Sequence, residues 1–369
     1  MAIYKIFPSA DATMYSKYPG KNTGLDEILE VAAKNNPNPK NDLPDAVPSE
    51  PLLYDDIRRS LILFSDEDLQ KIKTFSTGSW KAGLKLYLST ADNLSIEYGL
   101  EVRQVSQSWN MGTGQFGDDP ETRNGVCWYS TSSYVNDQSS WATQPSNYFI
   151  TPGGGSWTGS YFGSQSFDYK ASKDPNVDVT NIVNSWFSGS QNNGFIVKLP
   201  TNIESSSASY LGLSFFSVDT HTIYPPTLEM KWDDSFYTGS LSQISDSNFV
   251  VSLANNQGTY KTGTEKVQFR INARDKYPTR SFTTSSLYTV NKRLPITSYW
   301  AVQDLKTTDM VIDFDTNFTK ISYDQNGSFA NLYMSGLEPE RYYKLLIKTV
   351  LSTGETIEID EDCIFKITR

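Results

Sequence analysis

Few side chains in this 369-residue chain are grouped in a way that suits acid–base chemistry. The clearest group is Asp118, Asp119 and Glu121, which lie in a glycine-rich stretch. Glycoside hydrolysis uses a pair of carboxylates of this kind. Catalytic carboxylates need a rigid surrounding shell, which a flexible loop does not provide. The sequence therefore favours solvated surface charge here, and we expect that the protein is not an enzyme.

Three further carboxylates have the oxygen ligands that a Ca²⁺ site requires: Asp168, Asp174 and Asp178. Their spacing does not match an EF-hand loop. Asp178 stands just before a short amphipathic stretch, and Asp178 or Thr180 is predicted to cap the first free amides of a helix there. The sequence contains no P-loop, G-x-S-x-G or H-E-x-x-H motif. We predict no metal site and no cofactor.

Composition argues against several other classes of function. The chain has one histidine, His221, so His-based catalysis and His-rich metal sites are disfavoured. Its two cysteines, Cys127 and Cys363, are too few for a disulfide framework. The net charge of −10 argues against nucleic acid as a partner. Apolar runs such as residues 61–64 are too short to span a membrane, so no membrane partner is expected.

Aromatic side chains in a long polar stretch are the most informative candidates for function. Residues 107–165 are rich in Trp, Tyr, Gly and Asn, and a loop of this length on a rigid scaffold usually carries function. Its tryptophans could stack on sugar rings, anchor a protein–protein interface, or pack the insertion onto the fold. All three interpretations stay open. The predicted interaction surface consists of Trp109, Trp128, Trp141 and Trp157.

The elements that position these loops are predicted to be β-strands, because aromatic residues make up 13% of the chain and Ser, Thr, Asn and Gly fill the gaps. Residues 167–199 contain a short helical pattern followed by an apolar strand at 195–199. Ile182, Val183 and Trp186 share one face of that helix. So short a helix is not stable alone. We predict that it lies across the open end of a β-sandwich, with Trp186 as the plug.

Two domains are predicted, with a boundary at 233/234 after a strand over 226–232. The second domain contains Leu337, Pro339 and Tyr343 at the spacing of a tyrosine corner, a feature of immunoglobulin-like and fibronectin-like sandwiches. The predicted fold class is therefore all-β. It consists of an N-terminal β-sandwich over 1–233, carrying the 107–165 insertion, and a smaller C-terminal immunoglobulin/fibronectin-like β-sandwich over 234–369.

Residues 178–195 contain D-V-T, then Val, Trp and Gly at intervals of three residues, then N-G-F. Together with other short motifs over residues 1–233, this pattern resembles the DNRLRE-type domain, a jelly-roll β-sandwich often found in cell-surface and carbohydrate-associated proteins. The resemblance implies that the N-terminal β-sandwich is jelly-roll-like. The chain departs from the pattern at the Pro-rich stretch 34–56 and at the 107–165 insertion. The other matching segments, in chain order, are residues 10–13, 22–24, 59–64, 82–88, Trp109 and 226–230.

Residues 276–304 and 337–343 are similar to predicted structural proteins of large tailed marine bacteriophages. The first residues lack an apolar core of signal-peptide length, although the composition is that of an extracellular β-protein. Virion proteins are made in the host cytoplasm and work outside it. The resemblance implies a non-enzymatic structural component of the virion, at the neck, tail, fibre or capsid surface. It would bind other virion proteins in multiple symmetric copies. The alternative is a carbohydrate-binding adhesin module that recognises host surface polysaccharide.

Overall fold

The computed structural model describes residues 2–35, 55–76, 78–91, 98–133, 140–142, 153–167, 174–204, 210–262, 264–278 and 290–369. Strands hold 47% and helices 7% of the residues, so the protein is all-β, as predicted. Most of the Pro-rich stretch 34–56 and parts of the insertion lie outside the described residues. The chain divides into two compact units. The N-terminal unit comprises Ile6–Lys73 and Lys81–Glu229, and the C-terminal unit comprises Met1–Lys5, Thr74–Trp80 and Met230–Arg369.

The described residues up to 232 form short strands and three short helices. The helices are α1 (Asp66–Phe75), α2 (Thr180–Phe187) and α3 (Thr201–Glu204). The strands are β1 (Ala2–Ile6), β2 (Pro8–Tyr15), β3 (Ile28–Asn35), β4 (Asp55–Phe64), β5 (Trp80–Lys85), β6 (Leu88–Ala91), β7 (Tyr98–Val105), β8 (Trp157–Phe167), β9 (Asn176–Asp178), β10 (Phe195–Lys198), β11 (Tyr210–Phe216) and β12 (Thr227–Trp232).

The main sheet of the N-terminal unit is antiparallel, in the order β6-β11-β3-β4-β10-β7-β8, with β2 also paired to β4. Strand β10 is buried along its whole length. Its register places Ile196 opposite Leu61 on one face of the sheet and Phe195 opposite Ile62 on the other, because side chains alternate along a strand. Both faces at the centre of this sheet are therefore covered.

Helix α2 covers one of these faces, and Trp186 is buried there, as predicted. The indole ring packs on Phe195 with 4.8 Å between ring centroids. Val179 occupies the N-cap position without a side-chain cap bond. The carboxylate of Asp178 nonetheless accepts a hydrogen bond from the amide of Thr180, the first helical residue, at 2.9 Å. Asp178 thus satisfies one of the free amides, although it is not the N-cap residue itself.

The described strands from residue 249 onward belong to the C-terminal unit and are β13 (Phe249–Ala254), β14 (Thr259–Lys261), β15 (Lys266–Asp275), β16 (Ser298–Asp304), β17 (Met310–Ile312), β18 (Ser322–Asp324), β19 (Gly327–Tyr333), β20 (Tyr342–Val350) and β21 (Thr356–Thr368). These strands pair in the orders β13-β15-β19-β18 and β14-β21-β20-β16-β17. Tyr343 forms the predicted tyrosine corner, because its buried hydroxyl donates to the carbonyl of Glu338 at 3.1 Å.

Two segments from early in the chain belong to the C-terminal unit. Ile3 joins its hydrophobic core, and Tyr4 packs edge-on against Tyr333 with 5.6 Å between ring centroids. Phe75 and Trp232 contact the same Tyr333 ring at 5.9 and 5.5 Å. The two units therefore differ from the linear ranges 1–233 and 234–369 predicted from the sequence, since one of them is assembled from three separate segments.

Candidate functional site

The four tryptophans predicted as an interaction surface lie mainly in the core. Trp128, Trp141 and Trp157 are only 3–6% exposed and pack with Leu61 and Ile196 on the sheet face opposite α2. Trp109 is half-buried against the same cluster, and its indole N–H donates to the carbonyl of Asn193 at 2.9 Å. The prediction that these tryptophans form an exposed interaction surface needs correction, because their rings supply the apolar area that packs the insertion onto the sheet.

A buried charge network holds the same insertion. It consists of Arg59, Glu101, Lys198 and Glu204, and we call it the anchor network. The Arg59 guanidinium lies 5.0 Å from the Trp128 ring and 5.2 Å from the Trp157 ring. It donates two hydrogen bonds to the Glu204 carboxylate, at 3.1 and 2.8 Å, and one to the carbonyl of Gly154 at 2.6 Å.

Lys198 is the second cation of the anchor network and is fully buried. Its ammonium lies 3.3 Å from the Glu101 carboxylate and 3.4 Å from that of Glu204. Burial lowers the pKa of Lys198, and the neighbouring Arg59 lowers it further, while the carboxylates oppose both effects. All four members are at most 7% exposed, which suits a structural role and leaves no room for a substrate.

The strand pattern contained a signal for the anchor network that the sequence analysis missed. Arg59 precedes Leu61 by two residues, and Lys198 follows Ile196 by two. Because side chains on a strand alternate with a period of two, both cations point to the same face as these apolar residues. A charged side chain at an inward-facing position needs a buried partner, and Glu101 and Glu204 supply it.

The carboxylates considered for glycoside chemistry serve a surface turn. Asp118 accepts a hydrogen bond from the amide of Gln115 at 3.0 Å. Hydrogen bonds from Thr122 and Gln115 lower the pKa of Asp118, whereas a general acid needs a raised pKa. Glu121 pairs with Arg123 at 3.2 Å. This arrangement fits stabilisation of the turn.

Two of the three carboxylates considered for Ca²⁺ accept hydrogen bonds from backbone amides. Asp174 accepts from the amide of Leu88 at 2.9 Å, and Asp178 accepts from Thr180. Asp168 lies outside the described residues. Within the described part of the chain, no group of three or more His, Cys, Asp or Glu side chains is placed to hold a metal ion.

Exposed aromatic side chains of the insertion and of the β2–β3 loop meet at a different place. We call Tyr18, Lys21 and Phe116 the aromatic patch. The two rings are 38% and 40% exposed and pack edge-on, 5.4 Å between centroids. The Lys21 ammonium lies 4.7 Å from the Phe116 ring centroid and donates to the Phe116 carbonyl at 2.7 Å. The Asp26 carboxylate accepts a hydrogen bond from the Phe116 amide at 2.9 Å, which holds the backbone that carries the Phe116 ring.

Comparisons with known proteins add no family to this description. No model of a known protein family matches the chain, and neither does any curated protein. Among the described residues, no helix is long and apolar enough to cross a membrane.

One buried carboxyl is a pH-sensitive element of the N-terminal unit. Asp11 is 1% exposed and accepts from the amide of Val218 at 2.7 Å, but its Oδ1 atom has no hydrogen-bond partner among the described residues. Burial raises the pKa of Asp11 to about 8, and the neighbouring Asp219 carboxylate raises it as well. The protonated form is therefore the one that the folded state prefers.

The stabilising effect of Asp11 is expected to depend on pH with a definite sign. Its folded pKa lies above its unfolded value, so the contribution is present at low pH and is lost as the pH rises through about 8. Asp11→Asn keeps an oxygen for the Val218 amide and cannot ionise. We expect this variant to melt higher than the wild type at pH 9 and similarly at pH 4. Equal pH dependence of the two melting curves would show that Asp11 is ionised in the folded protein.

Proposed function

We propose that the protein is a non-enzymatic structural component of a tailed-phage virion, at the neck, tail, fibre or capsid surface, acting through protein–protein contacts. The sequence resemblances at residues 276–304 and 337–343 support the phage origin. The all-β architecture fits a rigid, polar scaffold that presents loops. Multiple symmetric copies are the arrangement in which many modest contacts act together.

The aromatic patch is the observation that carries the proposal. Interface anchors are typically aromatic rings held rigidly at the surface, because a fixed side chain loses little conformational entropy on binding. Tyr18 and Phe116 are exposed, pack on each other, and are held by Lys21 and Asp26. Part of the patch belongs to the insertion that the anchor network seats on the sheet. In this proposal, the insertion serves to present a preorganised contact surface.

The paired variant Tyr18→Ala/Phe116→Ala tests this role in assembly. Each ring is exposed, so the substitutions are expected to leave the folded structure intact while removing the contact area. We expect incorporation of the variant into particles to fall by about tenfold or more relative to wild type, since anchors of this kind dominate interface energies. The measurement is the variant-to-wild-type ratio in purified particles after co-expression during infection.

Tyr277→Ala is a matched control, because Tyr277 is 74% exposed and is not part of the aromatic patch. It should enter particles as the wild type does. Thermal unfolding of all three proteins separates a folding defect from a contact defect. Unchanged incorporation of a folded Tyr18→Ala/Phe116→Ala variant would remove the aromatic patch from the proposal. Failure of the wild type itself to enter particles would remove the proposed function.

A further inference from the structure

The outer face of one sheet in the C-terminal unit contains an open groove of about 610 Å³. The register of β15 and β19 places Gln268 opposite Asn331 and Arg270 opposite Phe329. Alternation along the strands sends these four side chains to one face, while Phe269, Ala330 and Leu332 point to the core. Phe236 borders the groove and is 52% exposed.

The charges around the groove are already paired. Arg270 donates two hydrogen bonds to the Asp324 carboxylate, at 2.8 and 2.7 Å, and its guanidinium stacks 5.1 Å from the Phe329 ring centroid. Lys266 lies 3.2 Å from the Asp234 carboxylate. The positive and negative charges cancel within each pair, so the groove offers no excess charge to a cationic or anionic ligand.

Two side-chain amides in the groove have no hydrogen-bond partner in the part of the chain that the structure describes. Among the described residues, no hydrogen bond engages the side chain of Gln268 or that of Asn331. Asn331 is 8% exposed, at the bottom of the groove. Each amide offers two N–H donors and a carbonyl acceptor. Polar groups that are left unpaired in a groove are suited to fixing a ligand that both donates and accepts hydrogen bonds.

We propose that this groove binds a neutral saccharide. Sugar hydroxyl groups donate and accept at once, which matches the amides of Gln268 and Asn331. The apolar C–H face of a pyranose ring fits an exposed aromatic ring such as Phe236. We expect the saccharide to be uncharged, because the charged side chains around the groove already pair with one another. The ligand would lie over the centre of β15 and β19, with Phe236 against one of its faces.

An extended peptide fits the groove less well. Peptides commonly bind a sheet by adding a strand to its free edge. Here β18 is the strand next to β19, and its outer edge is already occupied: the Tyr323 amide donates to the Phe236 carbonyl, and the Thr238 amide donates to the Tyr323 carbonyl, both at 3.0 Å. The same backbone bonds hold Phe236 at the border of the groove.

Binding of the full-length protein to an array of neutral, sialylated and sulfated oligosaccharides tests the proposal. We expect a neutral oligosaccharide to bind, and Phe236→Ala and Gln268→Ala each to weaken binding by about tenfold, as loss of an anchoring contact does. Tyr277→Ala should bind like the wild type. Melting curves of the variants show whether they fold, and Gln268→Ala provides the test if Phe236→Ala does not fold.

Three results would overturn the proposal. The first is that no neutral oligosaccharide on the array binds the wild type. The second is that binding persists in both folded groove variants, which would place the saccharide elsewhere. The third is that peptides selected from a random library bind in a way that depends on Phe236 and Gln268 while no neutral glycan does, which would assign the groove to a protein ligand.

Discussion

Replacing Arg59 by leucine is expected to lower the free energy of unfolding by about 3–5 kcal/mol, because it removes one cation from a buried charge network and leaves the Glu204 carboxylate to share Lys198 with Glu101. Glu204 would lose both of its hydrogen bonds from the guanidinium and remain 4% exposed. The Gly154 carbonyl would also lose a donor. Urea unfolding followed by tryptophan fluorescence measures the change.

A double variant makes this prediction specific to the charge pair. Replacing a buried pair by apolar residues of similar volume is often close to neutral. Arg59→Leu/Glu204→Leu should therefore be more stable than Arg59→Leu alone, even though it carries one substitution more. A loss below about 1 kcal/mol in the single variant would mean that water reaches the anchor network and that it does not hold the insertion.

Trp186→Ala is the second substitution with a large expected effect, a loss of about 3–5 kcal/mol, as for other large-to-small changes in a core. The ring is 6% exposed and fills the space between α2 and Phe195. Its indole N–H has no hydrogen-bond partner among the described residues, so Trp186→Phe removes an unpaired buried donor along with part of the volume. We expect Trp186→Phe to be much milder than Trp186→Ala.

The control for Trp186 lies on the same helix. Asn181 is exposed, so Asn181→Ala changes a surface position of α2 without touching the core. It should alter stability by less than about 0.5 kcal/mol, the usual range for surface substitutions. If Trp186→Ala were as mild as Asn181→Ala, this would contradict the burial of Trp186 between α2 and the main sheet of the N-terminal unit.

Local patterns predicted much of the fold. The continuous apolar run at 195–199 became a buried central strand, and the helical spacing of Ile182, Val183 and Trp186 became the buried face of α2. The tyrosine corner at Tyr343 is confirmed by its bond to the Glu338 carbonyl. In each case the signal is short-range periodicity or spacing, which a single sequence displays directly.

Other features depend on contacts between distant segments and were missed. Residues 157–165 belong to the predicted insertion, yet they lie in β8, whose pairing partner β7 ends more than fifty residues earlier. The placement of Tyr4 and Phe75 beside Tyr333 was likewise not predictable from local pattern. Burial of Trp128, Trp141 and Trp157 depends on Arg59 and Ile196, far away in the chain.

The candidate site was predicted only in part. Residues 107–165 stand out in the sequence by their tryptophans, but the exposed aromatic residues among their described part include Phe116, Tyr161 and Phe162. Of these, Phe116 packs on Tyr18 from another loop. A tryptophan-rich loop and a surface of tryptophans look identical in sequence, because burial is decided by what packs against each ring. The position of the Gln268 and Asn331 side-chain amides opposite each other could not be predicted without the register of β15 and β19.

The proposed function requires that a tailed phage encodes this chain, and quantitative mass spectrometry of gradient-purified particles of that phage tests it most directly. We expect the protein to co-purify with intact particles at a constant ratio to the major capsid protein, and this ratio to survive washing at high salt. Presence of the protein in the lysate but not in the purified particles would contradict it.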